Sequence, residues 1–101
     1  MRKVTVGSIQ MAMSWNKEET LSKAEKLVRE ATKKGAQIIL LPELFETPYF
    51  CQEKNYDYYQ LATTLEDNPA ILRFKPIAKE LDIVLPISFY EIDGNSLFNT
   101  V

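Results

Sequence analysis

The sequence predicts an α/β fold, in which helices cover a parallel β-sheet. A β-branched segment at residues 3–11 is followed by an amphipathic segment at residues 17–34 and by a short apolar run at residues 36–41. The apolar run does not alternate with polar residues, which is typical of a strand buried on both faces. Strand, helix and strand with short connections form a βαβ unit, so the two strands are predicted to be parallel.

The composition bounds the possible functions. At 101 residues the chain is one small domain at most, or a piece of a larger one. Its 12 basic and 14 acidic residues are interspersed, which gives no basic field for nucleic acid and no polybasic patch for a membrane. No apolar run reaches ~18 residues, so we expect neither a transmembrane span nor a signal peptide, and a cytoplasmic location.

The chain contains one cysteine, Cys51, and no histidine. A single thiol excludes an internal disulfide framework and fits a reducing compartment. The lack of histidine excludes a histidine-based catalytic triad or metal site within this chain. We expect no metal and no cofactor.

The first helix has clear predicted ends. Asn16 and Glu19 have the spacing of a capping box, so the helix is predicted to begin at Lys17. Basic residues crowd its last turn, and Gly35 can take the residue position after the cap. Apolar residues recur at three- and four-residue spacing and predict the buried face: Leu21, Ala24, Leu27, Val28 and Ala31.

Glu43 follows the second predicted strand directly, after Pro42. Ligands of open α/β sheets bind at the carboxyl ends of the strands, so this carboxylate is a candidate functional group. We expect burial beside Leu44 and Phe45 to disfavour its charged form, which suits a general base or acid working near neutrality. The alternative is a carboxylate that is only solvated or paired with a lysine.

Residues 46–67 show no lasting helical or strand period and are rich in aromatic residues. A loop of this length is usually functional or conceals a short helix. Its aromatic side chains could line a pocket or could only cover the end of the sheet. Tyr49 is the best functional candidate here, because its hydroxyl can orient a polar group while its ring lines a pocket.

The last third of the chain predicts a helix and a hairpin. Asn68 followed by Pro69 is a typical helix start, and Pro76 is expected to kink or split the helix. Residues 83–89 predict a third strand, although Pro86 argues against a central position in the sheet. After a turn at residues 93–95, residues 96–101 predict a fourth strand that pairs antiparallel with the third.

Three segments together resemble a known family. Residues 6–11, 35–45 and 96–101 look like the opening of a nitrilase-superfamily carbon-nitrogen hydrolase, and the resemblance runs through the whole chain. The most specific part is Leu-Pro-Glu-Leu-Phe at residues 41–45. Residues 47–52, Thr-Pro-Tyr-Phe-Cys-Gln, resemble the N-carbamoylputrescine amidase branch. The resemblance implies a four-layer αββα sandwich, of which residues 1–101 would be the amino-terminal portion of a single domain.

The resemblance also implies a catalytic Glu, Lys and Cys. In this family the Cys thiolate attacks an amide or carbamoyl carbon to form a thioacyl intermediate, the Glu shuttles the proton, and the Lys stabilises the oxyanion. Only the Glu maps onto this chain, at Glu43, with Tyr49 and Phe45 as expected substrate-binding residues. The family motifs for Lys and Cys lie after residue 101, so the chain alone is expected to be inactive.

Three residues are alternatives for the missing groups. Cys51 falls in the family's substrate-side loop and outside its nucleophile motif, and the nearest cation in sequence is Lys54. Lys54 and Lys75 are no better as the catalytic Lys, because exposed lysines are the rule.

The implied reaction is hydrolysis of a small linear amide or carbamoyl substrate, foremost N-carbamoylputrescine to putrescine, CO2 and ammonia, in polyamine biosynthesis. We also expect a homo-oligomer. Other superfamily branches, the omega-amidases, ureidopropionases and nitrilases, are the enzymatic alternatives. A noncatalytic α/β binding module is the alternative if the chain is natural at this length.

Overall fold

The computed structural model describes residues 2–101. The elements in chain order are β1 (Val6–Ser8), α1 (Lys17–Lys33), β2 (Ile38–Leu40), a 3₁₀ helix (Tyr56–Leu61), α2 (Pro69–Leu81), β3 (Phe89–Asp93) and β4 (Ser96–Thr100). The predicted α/β class is confirmed. The 3₁₀ helix lies in the aromatic segment, where the sequence allowed a concealed short helix.

Strands β1 and β2 pair in parallel, with Val6 opposite Ile38 and Ser8 opposite Leu40. This pairing confirms the two parallel strands predicted for the βαβ unit. A Cβ atom at Gly7 would lie 3.7 Å from the Ala31 Cβ atom of α1 and 3.3 Å from the Ala36 Cβ atom just after the helix. The missing side chain therefore allows the close approach of β1 to the helical layer.

The third strand differs from the prediction. Of the predicted residues 83–89, Val84 forms an isolated parallel bridge with Ile38, on the side of β2 opposite β1. Pro86 has no N–H to donate to a strand ladder, which limits the pairing of this segment. The antiparallel hairpin forms later in the chain, between β3 and β4, around a two-residue turn in which Gly94 has φ +61°.

Both helices begin as predicted. Asn16 Oδ1 accepts a hydrogen bond from the Glu19 N–H (3.1 Å), but the Asn16 N–H donates to Ser14 Oγ (3.2 Å), so only half of the capping box is formed. Helix α1 ends at Lys33, with Lys34 as its capping residue, and Gly35 follows with φ +97°. Helix α2 begins at Pro69 and runs unbroken through Pro76, so the predicted split does not occur.

The core lies between the helices and one face of the β1–β2 sheet. Its fully buried members include Val28, Ile39, Phe45 and Phe74. The opposite face of the sheet is open, since Val6, Leu40 and Val84 are 70%, 54% and 58% exposed. The expectation that β2 is buried on both faces is therefore wrong for this chain, because only its helix-facing side is covered.

None of the helices within residues 2–101 is long and apolar enough to cross a membrane.

Candidate functional site

Glu43 lies in the turn that follows β2, and the backbone of that turn is unusual. Leu44 has φ +49°, a left-handed conformation that costs a non-glycine residue about 1–2 kcal/mol. The turn directs Leu44 and Phe45 into the interior, where they are 4% and 0% exposed, and leaves Glu43 on the surface. The expectation that Glu43 is buried is wrong, because the turn separates it from its apolar neighbours.

The left-handed residue is held in place by a hydrogen bond from a distant segment. The Leu44 N–H donates to Ser88 Oγ across 3.1 Å, and Ser88 immediately precedes β3. Strained backbone of this kind persists only where the surroundings support it, and it is concentrated at functional sites. The turn that follows β2 is thus fixed to the start of the β3–β4 hairpin.

The Glu43 carboxylate is held by the same hairpin. Asn99 Nδ2, on β4, donates a hydrogen bond to Glu43 Oε1, and Ser88 Oγ donates to Asn99 Oδ1 across 3.4 Å. Sequence reasoning placed Asn99 within a strand and gave it no role, and it did not single out Ser88. The available signal was an amide side chain directly after the apolar pair Leu97 and Phe98.

The buried carboxylate of this loop is Glu46. It is 7% exposed, and its Oε1 accepts a hydrogen bond from the Ala70 N–H (2.9 Å) at the start of α2. The first N–H groups of a helix have no partner within the helix, so Glu46 satisfies one of them. Glu46 therefore has a structural role, and Glu43 is the carboxylate available at the surface.

Tyr49 lies close enough to Glu43 for the Glu43 carboxylate to affect the pKa of its hydroxyl. The pKa of its hydroxyl is raised above its ordinary value, first by hydrogen bonding to the neighbouring Cys51 side chain and further by the Glu43 carboxylate. The hydroxyl therefore keeps its proton at neutral pH and can act as a hydrogen-bond donor. Its side chain is accessible, with Tyr49 42% exposed.

Phe45 lies in the core. It has no exposed surface, and its ring packs edge-on against Phe74 with centroids 5.9 Å apart. In this position the ring anchors the loop that carries Glu43. Contact between Phe45 and a substrate stays a prediction, and it would require movement of this loop.

An open groove of about 520 Å³ lies in the aromatic segment, against Tyr90 of β3. Cys51 lines the groove and lies two residues after Tyr49 in the chain. Glu53 also lines the groove and accepts a hydrogen bond from the Tyr58 hydroxyl (2.7 Å). The aromatic lining residues are Phe50, Tyr56, Tyr58, Tyr59 and Tyr90. The aromatic segment thus forms a concave surface.

The alternative catalytic residues lie apart from Glu43. Lys54 lines the aromatic groove, whereas Lys75 lies on α2 at a separate shallow hollow beside Phe74. Neither lysine has a hydrogen bond or ion pair to Glu43, whose side-chain partner is Asn99. In the part of the chain from residue 2 onward, no cluster of three or more His, Cys, Asp or Glu side chains could hold a metal ion.

Chemically, the site combines an accessible carboxylate with two hydrogen-bond donors, the Asn99 amide and the Tyr49 hydroxyl. A carboxylate held on one oxygen can accept and return a proton at the other. The arrangement is therefore suited to proton transfer at the carboxyl edge of the parallel strands.

Comparisons with known proteins agree on one family. The profile of the carbon-nitrogen hydrolases matches residues 5–101. An N-carbamoylputrescine amidase of Oryza sativa subsp. japonica is 46% identical over 98% of this chain and 33% of the relative. A citrullinase of Francisella tularensis is 40% identical over 100% of this chain and 35% of the relative. The chain thus spans about a third of the length of the curated relatives it matches.

A solved structure of a carbon-nitrogen hydrolase has a similar fold. A crystal structure of a carbon-nitrogen hydrolase from Helicobacter pylori G27 superposes with a TM-score of 0.83 at 25% sequence identity. The superposition covers 95% of this chain and 33% of that one.

Proposed function

The chain belongs to the carbon-nitrogen hydrolase family, and from this premise we propose that the protein containing it hydrolyses a terminal carbamoyl group on a small linear substrate. The best-supported substrate is N-carbamoylputrescine, with putrescine, CO2 and ammonia as products. We further propose that residues 1–101 are the amino-terminal portion of a single hydrolase domain, since they match about a third of each relative.

The observation that carries the proposal is the position of Glu43. Its carboxylate is exposed at the carboxyl edge of β2, fixed by Asn99 and close to Tyr49. A side chain held in this way can take a proton from a nucleophile and return it to a leaving group. Glu43 is thus the proposed general base and acid of the reaction.

The proposed reaction has two stages. In the first, Glu43 takes the proton of a Cys thiol that the remainder of the protein supplies, and the sulfur forms a bond to the carbamoyl carbon. A Lys from the same remainder stabilises the oxyanion, the bond from carbon to the terminal nitrogen breaks, and Glu43 returns the proton to release ammonia. In the second, Glu43 deprotonates a water that attacks the thioacyl carbon, which frees the thiol and a carbamic acid that loses CO2.

The names of the relatives support a ureido substrate. N-carbamoylputrescine and citrulline both end in a ureido group on a short aliphatic chain, and relatives named for each match essentially the whole chain. In N-carbamoylputrescine the other end is an ammonium group. The aromatic groove offers ring faces and the Glu53 carboxylate, both of which favour a cation.

Citrulline is the second candidate substrate, because of the Francisella relative. Its far end carries a carboxylate as well as an ammonium group. Lys54 lines the same groove as Glu53, so a pair of opposite charges is available there. Relative turnover of the two substrates decides between them.

We also propose a cytoplasmic homo-oligomer that acts in polyamine biosynthesis. The single thiol supports a reducing compartment, since Cys51 has no second cysteine to pair with in this chain. Light scattering of the purified complete protein tests the oligomeric state.

The experiment that tests the function is an ammonia-release assay on the complete protein that contains residues 1–101. Ammonia release from N-carbamoylputrescine is expected to exceed release from citrulline and from an omega-amide such as glutaramate. Preference for citrulline or for the omega-amide would replace the proposed substrate. Absence of hydrolysis with all three would overturn the proposed function and favour a binding module.

A further inference from the structure

Three hydrogen bonds connect Leu44 to its neighbour Glu43 by way of Ser88 and Asn99. The Leu44 N–H donates to Ser88 Oγ (3.1 Å), Ser88 Oγ donates to Asn99 Oδ1 (3.4 Å), and Asn99 Nδ2 donates to Glu43 Oε1. Because Glu43 and Leu44 are neighbours in sequence, the three hydrogen bonds and the peptide bond between these two residues close a ring. The strand exit and the hairpin therefore share one closed network.

The direction of each hydrogen bond is fixed by chemistry. A backbone N–H can only donate, so Ser88 Oγ must be the acceptor for Leu44, and the single hydroxyl proton is left for Asn99. Asn99 then accepts on Oδ1, which turns its NH2 group toward Glu43. An ionised carboxylate can only accept hydrogen bonds, so the donating NH2 group is the side of the Asn99 amide that must face it.

Asn99 belongs to a well-anchored element, whereas Glu43 lies in a turn. In the hairpin Asn99 pairs with Tyr90, and Phe89 beside it is 2% exposed. Thr63 holds β3 from its other side through two backbone hydrogen bonds, from Thr63 N–H to the Tyr90 oxygen (3.0 Å) and from Ile92 N–H to the Thr63 oxygen (2.9 Å). The amide is thus presented from a supported strand to a side chain that would otherwise sample several rotamers in water.

We propose that Asn99 is a positioning residue for the hydrolase reaction. It occupies Oε1 of Glu43 and leaves Oε2 in a fixed direction to take and return the proton. This inference rests on the proposed function, because it assigns Asn99 a role through Glu43. Displacement of a reacting group by about 1 Å can cost on the order of 100-fold in rate, so the loss of this hydrogen bond should be visible in kcat.

The test uses the complete protein with the substrate N-carbamoylputrescine. Asn99→Ala should lower kcat by about 10- to 100-fold with little change in KM, because the lost interaction is to a catalytic group and leaves substrate contacts in place. Ser96→Ala, on the same strand and exposed, is the matched control and should keep the original kcat.

A pH profile separates positioning from a merely structural role. In Asn99→Asp the new carboxyl group can donate to Glu43 only while it is protonated, and it repels Glu43 once it is ionised. Its activity relative to Asn99→Ala should therefore be highest at the acid end of the profile and should fall as pH rises. If Asn99 were only structural, the ratio of the Asn99→Asp activity to the Asn99→Ala activity would be the same at every pH. The loss of activity in each variant would then parallel the fall in its melting temperature.

The outcomes are distinguishable. If the original protein does not hydrolyse its substrate, the proposed function fails and this inference fails with it. If the protein is active and Asn99→Ala keeps the original kcat, only this inference is overturned. Where Asn99→Ala does not fold, Ser88→Ala serves instead; it removes the hydroxyl that orients the amide together with the acceptor of the Leu44 N–H, so its melting temperature is measured along with its kcat. An unchanged kcat in folded Ser88→Ala would then contradict the inference, and a partial fall would support it.

Discussion

Glu46 Oε1 accepts a hydrogen bond from the Ala70 N–H, and this contact ties the loop after β2 to the start of α2. Glu43 lies three residues earlier in the same loop, is exposed, and faces Asn99 instead. Two carboxylates of one short segment therefore have different surroundings. The contrast separates a residue that stabilises the fold from one that is available for chemistry.

The first prediction concerns stability. Glu46→Ala should lower the free energy of unfolding by about 1–3 kcal/mol, because it leaves the buried Ala70 N–H without its partner. Denaturant unfolding of the complete protein measures this. Glu43→Gln is the matched control and should change stability by less than about 0.5 kcal/mol, as expected for an exposed site. Equal losses in the two variants would remove the distinction between the two carboxylates.

The second prediction concerns Tyr49. Its raised pKa keeps the hydroxyl protonated through neutrality, so it can donate a hydrogen bond to the substrate at working pH. Tyr49→Phe should lower kcat/KM about 10-fold, the cost of one hydrogen bond to a polar group. Steady-state kinetics of the complete protein check this. Unchanged kcat and KM would return Tyr49 to a structural role.

Cys51 provides the contrast for Tyr49, as the neighbouring thiol. Cys51→Ser should retain measurable turnover and lower kcat/KM less than Tyr49→Phe does, since the proposed nucleophile lies outside residues 1–101. Labelling with iodoacetamide adds an independent readout. Loss of all activity in Cys51→Ser, together with loss of active-site labelling, would make Cys51 the nucleophile.

The third prediction concerns pH and the ion pairs between the two helices. Arg73, on α2, contacts Glu25 and Glu18 of α1 at 3.0 and 2.9 Å. The pKa of Glu25 is lowered first by its hydrogen bond with Arg29 and then by Arg73, and that of Glu18 is lowered first by its hydrogen bond with Arg73. A carboxyl group with a lowered folded-state pKa stabilises the fold above its ordinary value of 4.5, and this contribution is lost as pH falls through the lowered pKa.

Arg73→Met should therefore lower stability at pH 7 by about 0.5–1 kcal/mol, the range for partly exposed ion pairs. The difference from the original protein should shrink as pH falls below 4.5. Thermal melting at several pH values measures it, with Lys75→Met on the same helix as the control. A difference that is constant down to the acid end would show that Arg73 acts through packing and not through charge.

The fourth prediction concerns residues 1–101 in isolation. Val6, Leu40 and Val84 form an exposed apolar face on one side of the parallel strands. Exposed apolar surface of this kind promotes association. The isolated chain should therefore self-associate and should not release ammonia from N-carbamoylputrescine, and light scattering with the ammonia assay tests both. A monomer that melts cooperatively would contradict the first expectation, and turnover would contradict the second.

Local sequence patterns predicted much of the fold. The starts of both helices follow from Asn16 and Asn68, whose side chains accept hydrogen bonds inside the first turn. The parallel pairing of β1 and β2 follows from the order of apolar segments. These features depend on residues that are close together in the chain, so periodicity and capping are enough to find them.

Long-range packing decided the features that the sequence did not predict. The exposure of Glu43 depends on the left-handed Leu44, and that conformation depends on Ser88, 44 residues away. The role of Asn99 depends on a contact across 56 residues. Neither contact leaves a periodic signal, because each is set by how the hairpin docks against the strand exit.

The most direct test of the central claim is the turnover number of Glu43→Gln in the complete protein with N-carbamoylputrescine. Glutamine fills nearly the same volume and can still contact Asn99, but it cannot accept a proton from a thiol. We expect kcat to fall by at least about 100-fold while the melting temperature stays close to that of the original protein. A folded Glu43→Gln variant with near-original kcat would contradict the claim that Glu43 transfers the proton.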